Sequence, residues 1–154
     1  MPDDIYPHAR SLRVGRFSEA GRSYMITTVT AGRRPLFLDF VTSRLLIQQM
    51  RHCEAEGLAR SLAWVVMPDH LHWLVTLDHG GLARLVKHLK ARSAQAINRE
   101  HAVQGRVWQP GYHDRAVRQE DDVRALARYM VANPLRAGLA QHVADYPHWD
   151  AIWL

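Results

Sequence analysis

Cysteine is almost absent. Cys53 stands alone among 154 residues, which excludes an internal disulfide framework and any zinc site built from several cysteines. A lone thiol fits a reducing compartment. Lysine is nearly as scarce: of the 20 basic residues only Lys87 and Lys90 are lysines, and the other 18 are arginines. No apolar run approaches the ~20 residues that a membrane span requires. The opening MPDDIYPHAR lacks the apolar stretch of a secretory leader. The expectation is one cytoplasmic domain, off the membrane and long enough to bury its own core.

What the chain does have is positive charge, a formal +5 carried by arginine. Guanidinium is a planar fork that grips phosphate oxygens with two hydrogen bonds. An arginine-dominated basic domain therefore fits a polyanion such as nucleic acid. A GC-rich coding bias yields the same composition with no such partner, so charge alone leaves both readings open.

Patterning along the chain alternates between strand and helix. Residues 1–22 are polar and arginine-rich, with Gly15 and Gly21, and read as an extended basic arm. Residues 23–30 (SYMITTVT) are β-branched and aromatic, a strand closed by Gly32. Residues 39–56 open on Asp39 as a helix N-cap, carry Leu45, Leu46, Met50 and Cys53 at helical spacing, and end at Gly57. LAWVVM (62–67) and HLHWLVTL (70–77) flank Pro68–Asp69, which predicts an antiparallel hairpin.

After Gly80–Gly81, Leu82, Leu85, Val86, Leu89, Ala96 and Ile97 share one helical face. Arg84, Lys87, His88 and Arg99 occupy the other. Residues 107–118 (VWQPGYHDRAVR) read as a strand interrupted at Pro110–Gly111. Glu120, Asp121 and Asp122 open a further helix near its positive end. It runs to about Ala132 and stops at Asn133–Pro134. The aromatic tail 145–154 is expected to dock on the body.

The order β-α-β-β-α-β predicts an α+β, ferredoxin-like split β-α-β domain. Its antiparallel sheet carries two helices on one face, with a C-terminal helix and tail added. Arm 1–22, core 23–118, helix region 119–139 and tail 140–154 make up a single domain, 1–154.

Alternation along a strand sends His70 and His72 to one side, while Leu71, Trp73, Val75 and Leu77 go to the other. The imidazoles thus face away from the two helices. Two neutral imidazoles with open positions suit a catalytic divalent ion. They also suit a merely polar sheet face, so the metal reading needs a third group. The helix at 119–139 supplies candidates. Val123, Leu126, Ala127 and Met130 form its buried stripe. Tyr129 sits roughly 110° from the stripe's centre, at its edge. Asn133 is one turn on and on the same side. Tyr129 read blandly is a boundary tyrosine; Asn133 read blandly is an N-cap with Pro134 following it.

These motifs carry a family resemblance. His70-Leu71-His72 resembles the histidine–hydrophobic–histidine motif of the HUH endonucleases. YMVANPLRAGL (129–139) resembles the tyrosine helix of single-tyrosine transposases. Residues 13–30, RRPLF (33–37), WQPGYHDRAVR (108–118) and YPHWDAIWL (146–154) resemble the REP-associated tyrosine transposases, over nearly the whole chain and in the family's order.

The resemblance implies a metal-dependent endonuclease and strand transferase acting on single-stranded DNA hairpins of the repetitive extragenic palindromes, guided by a short tetranucleotide at the hairpin foot. Tyr129 would be the nucleophile. His70 and His72 would bind Mg²⁺ or Mn²⁺, with Asn133 as a further ligand. Attack gives a 5′-phosphotyrosine and a free 3′-hydroxyl, keeping the bond energy for rejoining.

Expected DNA contacts are Arg13, Gly15 and Arg16 in the arm, Arg84, Lys87 and Lys90 on the basic helix face, and Trp108, Tyr112, His113 and Arg115 against unpaired bases. For Trp108 and Tyr112, core packing is the equal alternative. This branch favours a monomer; relatives that exchange the tyrosine helix are dimers. Two other classes remain: a non-catalytic hairpin binder of the same fold, and a metallophosphodiesterase using His70, His72 and Asp69.

Overall fold

Residues 21–77, 80–118 and 121–153 are described by a computed structural model. β1 (Ser23–Val29) leads through 3-10 turns at Ala31–Arg33 and Leu36–Leu38 into α1 (Phe40–Ala55). The Asp39 carboxylate accepts the Thr42 N–H at 3.1 Å, the N-cap that its position predicts. Such a cap contributes about 1 kcal/mol. Gly57 takes φ +74°, which lets the chain reverse into β2 (Ala59–Met67).

β2 turns at Pro68–Asp69 into β3 (His70–Leu77), with Met67 opposite His70. α2 (Leu82–His101) returns over the sheet and β4 (His113–Ala116) closes the split β-α-β unit. The interruption expected at Pro110–Gly111 is present. Before it, Trp108 bridges Thr30 and Gln109 N–H donates to the Val29 carbonyl; after it, β4 pairs with β1.

The sheet is antiparallel throughout, in the order β4-β1-β3-β2-β5. β5 (Trp149–Ala151) is the docked tail, and it docks as a fifth strand against β2. The Tyr146 hydroxyl donates to the Val66 carbonyl, and Val66 N–H donates to the His148 carbonyl at 2.9 Å.

Each face of the sheet has its own core. On one, Tyr24, Ile26, Leu71, Trp73, Val75 and Leu77 pack under Leu46, Ile47 and Met50 of α1 and Leu85, Val86, Leu89 and Ile97 of α2. Trp73 is 1% exposed, and its indole N–H donates to Ser61 Oγ at 2.9 Å, so burial leaves no donor unsatisfied. On the other face, Ala63, Val65, Met67 and Leu74 pack against Ala127 and Met130 of α3 (Val123–Val131). Asp122 caps α3 by accepting the Ala125 N–H at 3.1 Å. The second face is therefore covered by a helix in part. Among the described residues no helix is long and apolar enough to cross a membrane.

Candidate metal and nucleophile site

His70 and His72 lie at the start of β3 on the face that α3 covers. Their cross-strand neighbours Met67 and Val65 belong to the core beneath α3. The two rings meet edge to face with centroids 4.7 Å apart. Each imidazole is held through Nδ1. His70 Nδ1 lies 2.6 Å from Asp69 Oδ1, and His72 Nδ1 lies 2.8 Å from Thr27 Oγ1. A carboxylate only accepts, so His70 carries its proton on Nδ1 and presents the lone pair of Nε2. That Nε2 is shut off from solvent and has no hydrogen-bond partner. An orphaned imidazole nitrogen on a ring whose other side is fixed by a carboxylate could serve as a metal ligand with its outer support.

Both histidines are held neutral. Burial lowers His72 to about 3, with the charges of His70 and Arg136 adding to the effect. Burial also lowers His70, against the opposing pull of Asp69. Burial alone would raise Asp69, but the hydrogen bonds and charges of His70 and Arg33 outweigh it and keep the carboxyl low. Arg33 Nε donates to Asp69 Oδ2 at 3.1 Å.

Tyr129 projects from α3 and is 65% exposed. The Arg136 guanidinium stacks over its ring, 3.8 Å from the centroid. α4 (Asn133–Arg136) follows α3 with only Ala132 between them, and Ala132 itself keeps right-handed backbone geometry at φ −81°, ψ −2°. Asn133 makes no side-chain cap; its Oδ1 accepts from Arg136 Nη2 at 3.3 Å. The capping role that competed for this side chain is not taken up.

The expected DNA contacts separate into four groups. Arg13, Gly15 and Arg16 lie outside the described residues, as does Glu120. His113 and Arg115 stand opposite Thr27 and Met25, which places them on the histidine face. Arg115 is exposed, 3.5 Å from Asp121. Arg84 and Lys87 are exposed on α2, in the layer behind the sheet, and do not join the histidines.

Lys90, Trp108 and Tyr112 are placed as structural residues. Lys90 is half-buried and donates to the carbonyls of Gln109 and Gly111, fastening the 109–111 turn to α2. Trp108 is 5% exposed, tilts on Phe37 and donates its indole N–H to Ser93 Oγ at 2.9 Å. Tyr112 is buried in the same core. For these two aromatics, core packing is the observed role, because neither ring has a free face for a base. Four residues of the site were not picked out for these roles by sequence: Thr27, Arg33, Asp69 as a support, and Arg136. Adjacency to His70 is the signal that marks Asp69.

Known proteins share the family and the fold. A REP-associated tyrosine transposase of Escherichia coli (strain K12) is 30% identical over 87 residues, which are 55% of this chain and 50% of that protein. The chain thus spans half the length of that relative. A provisionally named REP-associated tyrosine transposase of Haemophilus influenzae (strain ATCC 51907 / DSM 11121 / KW20 / Rd) is 22% identical over 139 residues, 83% of this chain and 78% of that one.

Among solved structures, a REP-associated tyrosine transposase bound to a REP hairpin superposes with a TM-score of 0.75 at 24% identity, over 87% of this chain and 79% of that one. A provisionally named transposase from Deinococcus radiodurans R1 gives 0.55 at 24% identity, over 77% and 95%. At such identity these likenesses establish the fold. The family described as "Transposase IS200 like" matches residues 20–133, most of the chain, and the chain belongs to that family.

Proposed function

We propose that the chain is a metal-dependent single-stranded DNA endonuclease and strand transferase that acts at REP-type hairpins through a covalent 5′-phosphotyrosine. One observation carries the reading. The two imidazoles, each restrained at Nδ1, stand on the sheet face against which the chain's own tyrosine helix packs.

His70 and His72 would hold the ion through Nε2, with Asn133 Oδ1 as a third donor once Arg136 releases it. Mg²⁺ or Mn²⁺ bound there supplies charge neutralisation on the non-bridging oxygens and polarisation of phosphorus. The other roles belong to the chain. Asp69 and Thr27 fix the ligand tautomers. Arg136 steadies the Tyr129 ring and offers a cation beside the phosphate path. The Tyr129 oxygen attacks phosphorus in line, the P–O3′ bond breaks, and the departing oxygen takes a proton to become the 3′-hydroxyl. A second 3′-hydroxyl can reverse the step and join strands, which hydrolysis would forbid. His113 and Arg115, on the same face, are the DNA contacts favoured by this geometry. α3 packs on its own sheet, which favours use of the tyrosine within one subunit.

The experiment is incubation of the protein and Mn²⁺ with single-stranded hairpins taken from beside its gene, read on a denaturing gel. A covalent protein–DNA species is expected from the native chain and not from Tyr129→Phe, with hairpin binding kept within a few-fold. Binding without any adduct from the native chain would make it a hairpin-binding protein only.

A further inference from the structure

On the helical side of the sheet, His52, Glu56 and His88 meet across the contact of α1 and α2. His52 and Glu56 are one helical turn apart and share a side; Glu56 is the C-cap residue of α1. His88 reaches them from α2. His52 Nε2 is 2.7 Å from Glu56 Oε1, and His88 Nε2 is 3.4 Å from Oε2. The two rings stack 9° from parallel with centroids 6.0 Å apart. Both Nε2 atoms are closed off from solvent, yet neither makes an aligned hydrogen bond.

The (i, i+4) spacing at the end of α1 accounts for one histidine beside Glu56. It does not account for a second imidazole from another helix, aimed at the same carboxylate with its nitrogen shielded. Two imidazoles and one carboxylate are the donor set of a borderline first-row ion with positions left open. The three ligand atoms lie within 4.8 Å of one another. Bonds of about 2.0–2.1 Å to a tetrahedral ion set donors roughly 3.3 Å apart, and the two histidine–Glu56 separations of 2.7 and 3.4 Å bracket that distance.

We infer that His52, Glu56 and His88 form a second metal site that takes one Zn²⁺-class ion and ties α1 to α2. It is separate from the His70–His72 pair, since the sheet lies between the two.

The test uses the metal-stripped full chain and Zn²⁺ as the probe, read by calorimetric titration and by thermal unfolding. In the His70→Ala/His72→Ala background one equivalent of Zn²⁺ is expected to bind and to raise the unfolding temperature. Adding His88→Gln, or separately His52→Gln, should weaken that binding at least tenfold and remove the shift, with the circular dichroism spectrum unchanged. The inference is overturned if the double-alanine protein binds no Zn²⁺, or if both glutamine variants still bind it as tightly.

Discussion

Arg136 stacks on Tyr129 and binds its backbone. Its guanidinium carbon lies 3.8 Å from the centre of the Tyr129 ring, and it donates to the Tyr129 carbonyl at 2.7 Å and to Asn133 Oδ1 at 3.3 Å. The same charge is among the causes that keep His72 unprotonated. One side chain therefore touches the candidate nucleophile, neighbours the third ligand candidate and is felt at His72.

Arg136→Ala should slow adduct formation more than it weakens hairpin binding. A cation over an exposed ring contributes about 0.5–1 kcal/mol, so the stacking loss alone predicts a drop of roughly two- to fivefold. Arg136→Lys keeps the charge without the planar fork and should recover part of it. Single-turnover adduct kinetics measure this; an unchanged rate in the alanine variant would remove Arg136 from the site.

Asp69→Asn should weaken Mn²⁺ at the His70–His72 pair by about 10–100-fold, the usual effect of losing an outer-shell carboxylate. An amide can offer His70 its N–H as readily as its oxygen, so the ring loses its fixed tautomer. Paramagnetic resonance of bound Mn²⁺ reads the affinity directly. Equal affinities in the two proteins would count against the ligand assignment.

Acid should destabilise the metal-free fold. Both histidines have folded-state values below 6.5, His72 at about 3, so the unfolded chain binds more protons in between. Their contribution is whole above about pH 6.5 and drains away as pH falls below it, for His72 down toward 3. Across that window His72 costs up to about 1.4 kcal/mol per pH unit, and His70 acts in the same direction. Asp69, held low, acts in the same direction below about 3.9. Urea midpoints measured from pH 7 to 4 should fall; a flat series would contradict the buried, neutral pair.

Trp108→Ala should cost about 3–5 kcal/mol of stability, as core truncation of a large aromatic does. Trp108→Phe should leave hairpin affinity within twofold. Arg115→Gln should do the reverse: little change in stability, and a log–log salt slope shallower by roughly 0.7 if it meets a single-strand phosphate. A large affinity loss in Trp108→Phe would mean that the ring leaves the core to meet a base.

Where side-chain periodicity was strong, the sequence was readable. Alternation placed His70 and His72 opposite Leu71 and Trp73, and helical spacing placed Leu46, Met50 and Cys53 inside. Pattern said less where a residue fits two environments. Trp108 and Tyr112 look the same as base platforms or as core, and only the Ser93 partner and the Phe37 contact decide for Trp108. Lys90 sits among exposed basic residues in sequence, and only the path of the 109–111 turn draws its ammonium inward. Three residues at Trp149–Ala151 are too few to show a strand period, so the tail's pairing with β2 was invisible. The His52–Glu56 spacing can be seen in the sequence, but His88 joins it only through helix packing.

The Asp69–Arg33 contact bears on how variants of this chain would be sorted. Arg33 holds φ at +50° while reaching Asp69, a geometry that L-residues adopt at a cost of about 1–2 kcal/mol. Glycine there would relax the backbone and forfeit a partly buried ion pair of similar size, so the two effects nearly cancel. A melting screen would score Arg33→Gly as silent, while the rim of the hairpin loses its tether and His70 its aim. What this position contributes lies in the aim of the His70 ring, out of reach of thermometry.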